Sequence, residues 1–183
     1  RVPLKIGNTL RIYGKLLSNK KVLGYIFCNS LSYSGMFCFL TSGSLVYTGV
    51  YGVAPKNFGY FFILNIGVMM IATFLGGRFV GRLGTERILR IGLWIQLVTG
   101  IYLAFSAFFH WGLWPSAIGI ALYVGMVSII SSNANAAVLE LFPRTAGTAN
   151  SLIGMFRFAI GAIIGAILAL FSVETEQPML FAI

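Results

Sequence analysis

Charged side chains are scarce in this sequence. Only 9% of its 183 residues are Asp, Glu, Lys or Arg, whereas 58% are apolar, and the mean hydropathy is +0.89. A soluble domain typically has about 25% charged residues. So few charges cannot cover the surface of a water-soluble fold, but lipid requires no charged cover. The shortage of charge therefore excludes an ordinary soluble domain and predicts a protein that lies in a lipid bilayer.

Residues that carry catalytic or metal chemistry are also few. The sequence has 4 acidic residues, one histidine (His110) and two cysteines, Cys28 and Cys38. The two cysteines are about 15 Å apart along a helix, whereas a disulfide needs Cα atoms within about 7 Å. The sequence contains no buried acid pair, nucleophile–base combination, phosphate loop or Cys/His cluster. It thus predicts no metal, no cofactor and no enzyme. A membrane-embedded enzyme is the alternative, if further sequence supplies an acidic or His/Cys cluster.

Apolar runs long enough to cross a bilayer recur along the chain. A spanning helix needs about 20 residues. The runs cover Val22 to Tyr47, Phe58 to Leu75, Ile88 to Phe109, Ile118 to Leu139 and Thr148 to Val173, and a sixth opens at Met179. We therefore expect an all-helical integral membrane protein with five full spans and a truncated sixth. The chain starts without a methionine or a signal-peptide pattern and stops inside an apolar run, so we interpret it as part of a longer protein.

Basic residues alternate between the connections. Residues 1–21 contain six Lys or Arg, and the five later connections contain one (Lys56), four (Arg78, Arg82, Arg87, Arg90), none, one (Arg144) and none. Such alternation sets the orientation of a membrane protein, whereas a basic arm that binds nucleic acid predicts no alternation. We expect residues 1–21 to form a cytoplasmic linker on the membrane surface and residues 22–183 to form the membrane part. The amino end is then cytoplasmic, and no nucleic acid is bound.

The connection from Gly77 to Arg87 contains small and basic residues, which let two helix ends approach closely. It resembles the signature loop of the major facilitator superfamily, roughly Gly-x-x-x-Asp-Arg-x-Gly-Arg. Gly77, Arg82 and Gly84 match this pattern. Gly81 stands where the family usually has Asp, and Thr85 departs as well.

A second resemblance involves the stretch from Asn133 to Leu152. It is similar to the segment between the tenth and eleventh helices of Bcr/CflA-type multidrug efflux transporters, with a core like Glu-x-Phe-Pro-x-x-Ala-Gly-Thr-Ala-x-Ser. The matching residues are Glu140, Phe142, Pro143, Ala146, Gly147, Thr148, Ala149 and Ser151. The stretch from Val50 to Gly59 resembles that subfamily's loop after the seventh helix. Pro143 can end one helix, and Thr148 or Asn150 can cap the next one or form hydrogen bonds near its start. A structural role for Glu140 and Thr148 is therefore the alternative to substrate contact.

The resemblance implies the carboxy-terminal half of a major facilitator transporter, helices seven to twelve, packed against an amino-terminal half. It implies proton-coupled export of small amphipathic compounds by alternating access, in the bacterial inner (plasma) membrane. An importer or a metabolite exporter of the same superfamily and a helical channel are alternatives. None of the four acids falls in the middle of a span. A carboxylate that couples transport to protons would therefore lie outside this chain.

Arg157 lies nine residues after Thr148, about 14 Å into the fifth span and close to the bilayer midplane. A cation there costs at least about 2.5–3.5 kcal/mol and must face protein or water. It belongs to one polar or small helix face with Asn150, Gly154, Gly161 and Gly165. We expect it to contact substrate or an acidic coupling residue. A buried structural ion pair with the other half is the alternative.

Two more helix faces are candidates for a substrate cavity. Asn29, Tyr33 and Phe37 recur every four residues on the first span, and Ser128, Ser132 and Asn135 share a face of the fourth. Aromatic rings beside hydroxyls and amides suit a cavity for amphipathic ligands. Hydrogen bonding between helices is the alternative for each residue singly.

Overall fold

The described part of the chain is helical. A computed structural model describes residues 6–169, 179–180 and 183. Its helices are α1 (Ile6–Ser18), α2 (Lys20–Leu45, continued by a π-helical turn, Val46–Val50), α3 (Pro55–Leu83), α4 (Thr85–Phe109), α5 (Leu113–Leu141) and α6 (Ala146–Ala169). A 3-10 turn, Pro143–Thr145, precedes α6. The five helices α2 to α6 are long and apolar enough to cross a membrane. The five predicted spans are therefore confirmed.

Several helix ends differ from the prediction because helical backbone extends beyond the apolar runs. α3 continues through Gly77 to Leu83, so the expected loop from Gly77 to Arg87 is reduced to one residue, Gly84. Gly84 adopts a φ of 82°, which glycine reaches without steric cost. The prediction that small residues here let helices approach closely is wrong within the described residues. Nothing lies within 4 Å of a Cβ built on Gly77, Gly81 or Gly84.

The entry to α6 also differs from the prediction. Because α6 begins at Ala146, Thr148 and Asn150 lie inside its first turns and cannot cap it. The end of the predicted fifth span and the acidic connection, Glu174 to Glu176, lie outside the described residues. Met179 and Leu180 are helical and buried where the sixth span was predicted to open, and residues 181–182 are again outside the description.

The amino-terminal basic segment contains a helix of its own. α1 packs Leu16, which is fully buried, into a cluster with Val22 and Ile26 of α2 and Leu152 of α6. Asn19 then caps α2, since its Oδ1 accepts hydrogen bonds from the backbone N–H groups of Lys21 and Val22 at 3.0 and 3.3 Å. Arg1 and Lys5 of the predicted linker lie outside the described residues.

α5 is the central helix and packs against α2, α3 and α4, while α6 packs mainly against α2. Small residues make two of these contacts close. A Cβ built on Gly125 of α5 would lie 2.7 Å from Cγ1 of Val68, and one built on Gly161 of α6 would lie 2.6 Å from the ring of Phe37. Gly165 meets Thr41 one turn later, at 3.4 Å. Gly161 and Gly165 therefore let α6 pack closely against α2.

Large apolar side chains are exposed around the bundle, as expected of helices surrounded by lipid or by another membrane domain. They are most numerous on α3 and α4. The helices that bury the least of their surface are α3 and α6. Examples are Ile63, Met70 and Phe74 on α3 and Met155 and Ile163 on α6. This outer surface agrees with the shortage of charge in the sequence.

Candidate functional site

A cavity of about 290 Å³ lies between α2, α3, α5 and α6. Ligand sites occupy about 300–1,000 Å³, so this cavity is at the lower limit of that range. Its lining residues come from all four helices and combine hydroxyls, one cation and two thioethers: Tyr33, Met36, Met69, Val127, Ser128, Ser131, Ser132 and Arg157. Four of the seven residues predicted for a cavity, namely Tyr33, Ser128, Ser132 and Arg157, are thus brought together.

Arg157 is the only charged residue among those lining residues. It is the twelfth residue of α6, so it lies about 16 Å from the start of that helix. Its Cζ lies 4.5 Å from the ring centroid of Tyr33 and 4.9 Å from that of Phe158. One guanidinium nitrogen donates a hydrogen bond to Ser131 Oγ at 3.4 Å, while Nε is buried and has no acceptor among the described residues. Stacking on the rings therefore contributes more to its position than hydrogen bonding.

Three aromatic rings hold α2 and α6 together beside the cavity. The centroids of Tyr33, Phe37 and Phe158 lie 5.6 to 6.2 Å from one another. These distances are typical of favourable ring pairs. The cluster needs the close approach at Gly161, because any larger residue there would displace Phe37. The glycine thus brings the Tyr33 ring within reach of Arg157.

The hydroxyl groups of α5 form a polar strip along the same cavity. Ser128 shares a hydrogen bond with Thr73 of α3, and Ser132 donates to the backbone oxygen of Ser128 at 2.9 Å. Ser131 accepts from Arg157. The strip therefore joins α3, α5 and α6, so helix–helix bonding accounts for Ser128 even though it lines the cavity.

Three predicted cavity residues do not line it. Phe37 packs against Gly161 instead. Asn29 is fully buried, and neither its Oδ1 nor its Nδ2 has a hydrogen-bond partner in the part of the chain that the structure describes. Asn135 is partly buried with an unpaired Oδ1. Helical spacing of three or four residues correctly assigned these residues to the same helix faces as the cavity residues. The faces, however, are wider than the cavity.

Sequence reasoning missed Ser131, Met36 and Met69, which also line the cavity, and the neighbouring Phe158. Helical spacing could have identified Met36, because it lies three residues after Tyr33. Helical spacing could also have identified Met69, because it lies four residues after Asn65 and four residues before Thr73 on α3.

The predicted motif residues lie at the end of the bundle where α3 meets α4 and α5 ends. Glu140 accepts a hydrogen bond from Thr85 Oγ1 at 3.2 Å, and Glu86 accepts one from the Tyr25 hydroxyl at 2.7 Å. These bonds link α2, α4 and α5. Arg82 is exposed in the last turn of α3. The other motif residues are Pro143 in the 3-10 turn and Gly147 and Thr148 in the first turn of α6.

A larger cavity, about 620 Å³, lies between α2, α4 and α5, on a different part of the bundle. Its walls include Gln96 and Tyr123 but are mostly apolar, and Leu180 and Ile183 border it. In the described part of the chain, no charged residue lines this space, whereas Arg157 lines the smaller cavity. Within residues 6–169, 179–180 and 183, no three His, Cys, Asp or Glu side chains are grouped to hold a metal ion.

Comparison with known proteins gives a family and several relatives. The sequence model of the Major Facilitator Superfamily matches residues 2–166. The chain is 50% identical over 181 residues to the "Bicyclomycin resistance protein homolog" of Haemophilus influenzae. The aligned residues cover 99% of this chain and 46% of that protein. It is 26% identical over 179 residues to the "Uncharacterized MFS-type transporter YdgK" of Bacillus subtilis, covering 98% of this chain and 44% of that protein.

A more distant relative is the "Multidrug transporter MdfA" of Edwardsiella piscicida, 24% identical over 163 residues, which cover 84% of this chain and 38% of that protein. No solved structure matches the chain. The chain thus spans less than half the length of the curated relatives it matches.

Proposed function

Because this chain belongs to the major facilitator superfamily, whose members are membrane transporters and not enzymes, we propose that it is the carboxy-terminal half of a secondary transporter that exports small amphipathic compounds. The observation that supports this most strongly is the 50% identity, over 99% of the chain, to a protein named for bicyclomycin resistance. The distant likeness to a multidrug transporter points to the same class of substrate.

The cavity supports the proposal, since it combines a cation, hydroxyls and apolar walls on four helices. Transporters of this kind hold substrate near the bilayer midplane between two repeats. In our proposal Arg157, about 16 Å along α6, lies near that depth. In our proposal residues 22–183 supply one wall of the substrate site, as helices seven to twelve, and an amino-terminal half supplies the other. Rocking of the two halves then exposes the site alternately to each side of the membrane.

We further propose that export is coupled to protons. The two described acids, Glu86 and Glu140, lie in the first turn of α4 and the last turn of α5, not in the middle of a span. Each already accepts a hydrogen bond from a neighbouring helix. A coupling carboxylate inside the membrane would therefore come from outside this chain.

The proposed location is the bacterial inner membrane, with the amino end and residues 1–21 on the cytoplasmic side. Lys20 and Lys21 start α2, and Arg82, Arg87 and Arg90 lie around the connection from α3 to α4 at the same end of the bundle. Among the described residues, the opposite end carries one Lys or Arg, Lys56 in the first turn of α3. This asymmetry follows the positive-inside rule.

The full-length protein, produced in a bacterium that lacks its major efflux pumps, tests the proposed function. It should raise resistance to bicyclomycin and lower the accumulation of a fluorescent drug, and a protonophore should abolish both effects. Ser131→Trp should block the cavity and remove export without unfolding the protein. Ile118→Trp, on the exposed side of the same helix, is the matched control and should leave export intact.

Other results would point elsewhere. Net uptake in the direction of the proton gradient would indicate an importer, and flux that never exceeds equilibrium would indicate a channel. Export that persists in Ser131→Trp would contradict the placement of the substrate site.

A further inference from the structure

The guanidinium of Arg157 has unused hydrogen-bonding capacity. Arginine has five N–H donors. Within the part of the chain that the structure describes, one of them reaches an acceptor, Ser131 Oγ at the long distance of 3.4 Å, and the buried Nε has none. Tyr33 and Phe158 cover the group with aromatic rings, which attract a cation but accept no strong hydrogen bond. The rings thus hold the guanidinium in place, while its terminal N–H groups make no hydrogen bond to the described residues other than the one to Ser131.

The positive charge of Arg157 is also unbalanced. The cavity lining includes no acid, and among the described residues no carboxylate lies within ion-pair distance of Arg157. Glu86 and Glu140 lie at helix ends, where they bind Tyr25 and Thr85. Because low-dielectric surroundings strengthen Coulomb interactions, this charge attracts an anion and repels a cationic ligand.

The neighbouring hydroxyl adds a second donor. Ser131 Oγ accepts from Arg157, and among the described residues its hydroxyl proton has no acceptor, so it can be donated to a ligand in the cavity. Its neighbours on α5 are already engaged: Ser132 donates to the Ser128 backbone, and Ser128 shares its hydroxyl bond with Thr73. The arginine and the serine therefore present converging N–H and O–H donors beside the thioethers of Met36 and Met69, which line the same space.

We propose that this cavity selects substrates that carry an anionic oxygen group, a carboxylate in particular, attached to an apolar body. The planar guanidinium matches the two oxygens of a carboxylate, and Ser131 supplies a further hydrogen bond. The Met36 and Met69 side chains contact the apolar body. This inference rests on the proposed transport function and specifies its substrate class.

Binding to the purified full-length protein tests the inference. The probes are a panel of aryl carboxylates, from benzoate to anthracene carboxylate, each measured beside its neutral amide of the same shape. Carboxylates should bind about tenfold or more tightly than their amides, as expected for a charge-assisted hydrogen bond. Arg157→Ala should reduce this ratio to about one, and Arg157→Lys should retain part of it. Arg144→Ala, an exposed arginine outside the cavity, should leave the ratio unchanged.

The comparison within the unchanged protein needs no variant, so it remains decisive if Arg157→Ala fails to fold. Carboxylates that bind no better than their amides, including a panel in which neither binds, would overturn the inference. That result is also expected if an acid outside this chain pairs with Arg157. A carboxylate preference that survives in folded Arg157→Ala would overturn it as well. Export of bicyclomycin by the same protein distinguishes failure of this inference from failure of the proposed function. If bicyclomycin is not exported, the proposed transport function is contradicted. If bicyclomycin is exported but carboxylates are not preferred, only this inference is contradicted.

Discussion

Replacing Gly125 with alanine should force α5 away from α3 and destabilise the protein. A Cβ at this position would lie 2.7 Å from Cγ1 of Val68 and 3.5 Å from the Val68 carbonyl carbon. Valine is stiff about χ1 in a helix, so its methyl group cannot rotate aside without strain. The backbone carbon beside it limits relief by a small shift of the side chain alone.

The magnitude follows from two opposing effects. Alanine in place of a helical glycine stabilises by roughly 0.5–1 kcal/mol. Overpacking of a close contact costs typically about 1–3 kcal/mol. Gly67→Ala isolates the first effect, because Gly67 is adjacent to Val68 on α3 and has nothing within 4 Å of its Cβ position. Gly125→Ala should therefore be less stable than Gly67→Ala by about 1–3 kcal/mol.

The assay is thermal unfolding of the full-length protein in detergent. The readout is the fraction of protein that remains monodisperse at each temperature. A double variant with Val68→Ala should recover most of the loss, because it removes the methyl group that the new Cβ meets. Coupling between residues in direct contact is expected in such a cycle. If Gly125→Ala unfolded at the same temperature as Gly67→Ala, the close contact between α3 and α5 would be wrong.

Two further predictions concern the membrane topology and the buried hydroxyls of Ser106 and Ser116. In a background without other accessible cysteines, a cysteine at Arg87 should be labelled only from the cytoplasmic side and one at Lys56 only from outside, because the basic connections remain in the cytoplasm. Labelling of the Lys56 position from the cytoplasm would reverse the proposed orientation. Ser116→Ala should lower the free energy of unfolding by about 1–3 kcal/mol, since it leaves the fully buried Ser106 hydroxyl without its partner at 2.9 Å. Ser151→Ala, at an exposed serine bonded only to the preceding turn, should have little effect in the same thermal assay.

The candidate site was partly predictable. Arg157 was identified because a cation deep in an apolar run must have a protein or water partner. The seryl face of α5 was identified from helical spacing, and Ser128 and Ser132 do line the cavity. Asn29 and Asn135 were included by the same spacing and do not line it. Spacing assigns a residue to a helix face, but it does not say how far along that face a neighbouring helix or a cavity extends.

The sequence by itself determined the five full spans and the class of fold. The length and hydropathy of an apolar run are local properties, and a helix satisfies its own backbone hydrogen bonds wherever it lies in the bilayer. The exact helix ends were less certain, because Gly77 to Leu83 are polar enough to resemble a loop but still continue the hydrogen bonds of α3.

Only the tertiary structure decided which helix faces meet. Arg157 reaches Tyr33 because Gly161 allows Phe37 of α2 to pack directly against α6. Met69 borders the same cavity because the close contact of Gly125 with Val68 draws α3 toward α5. These residues are far apart in the chain, and their contacts depend on side-chain shape where helices cross. Local hydropathy contains no information about that shape complementarity.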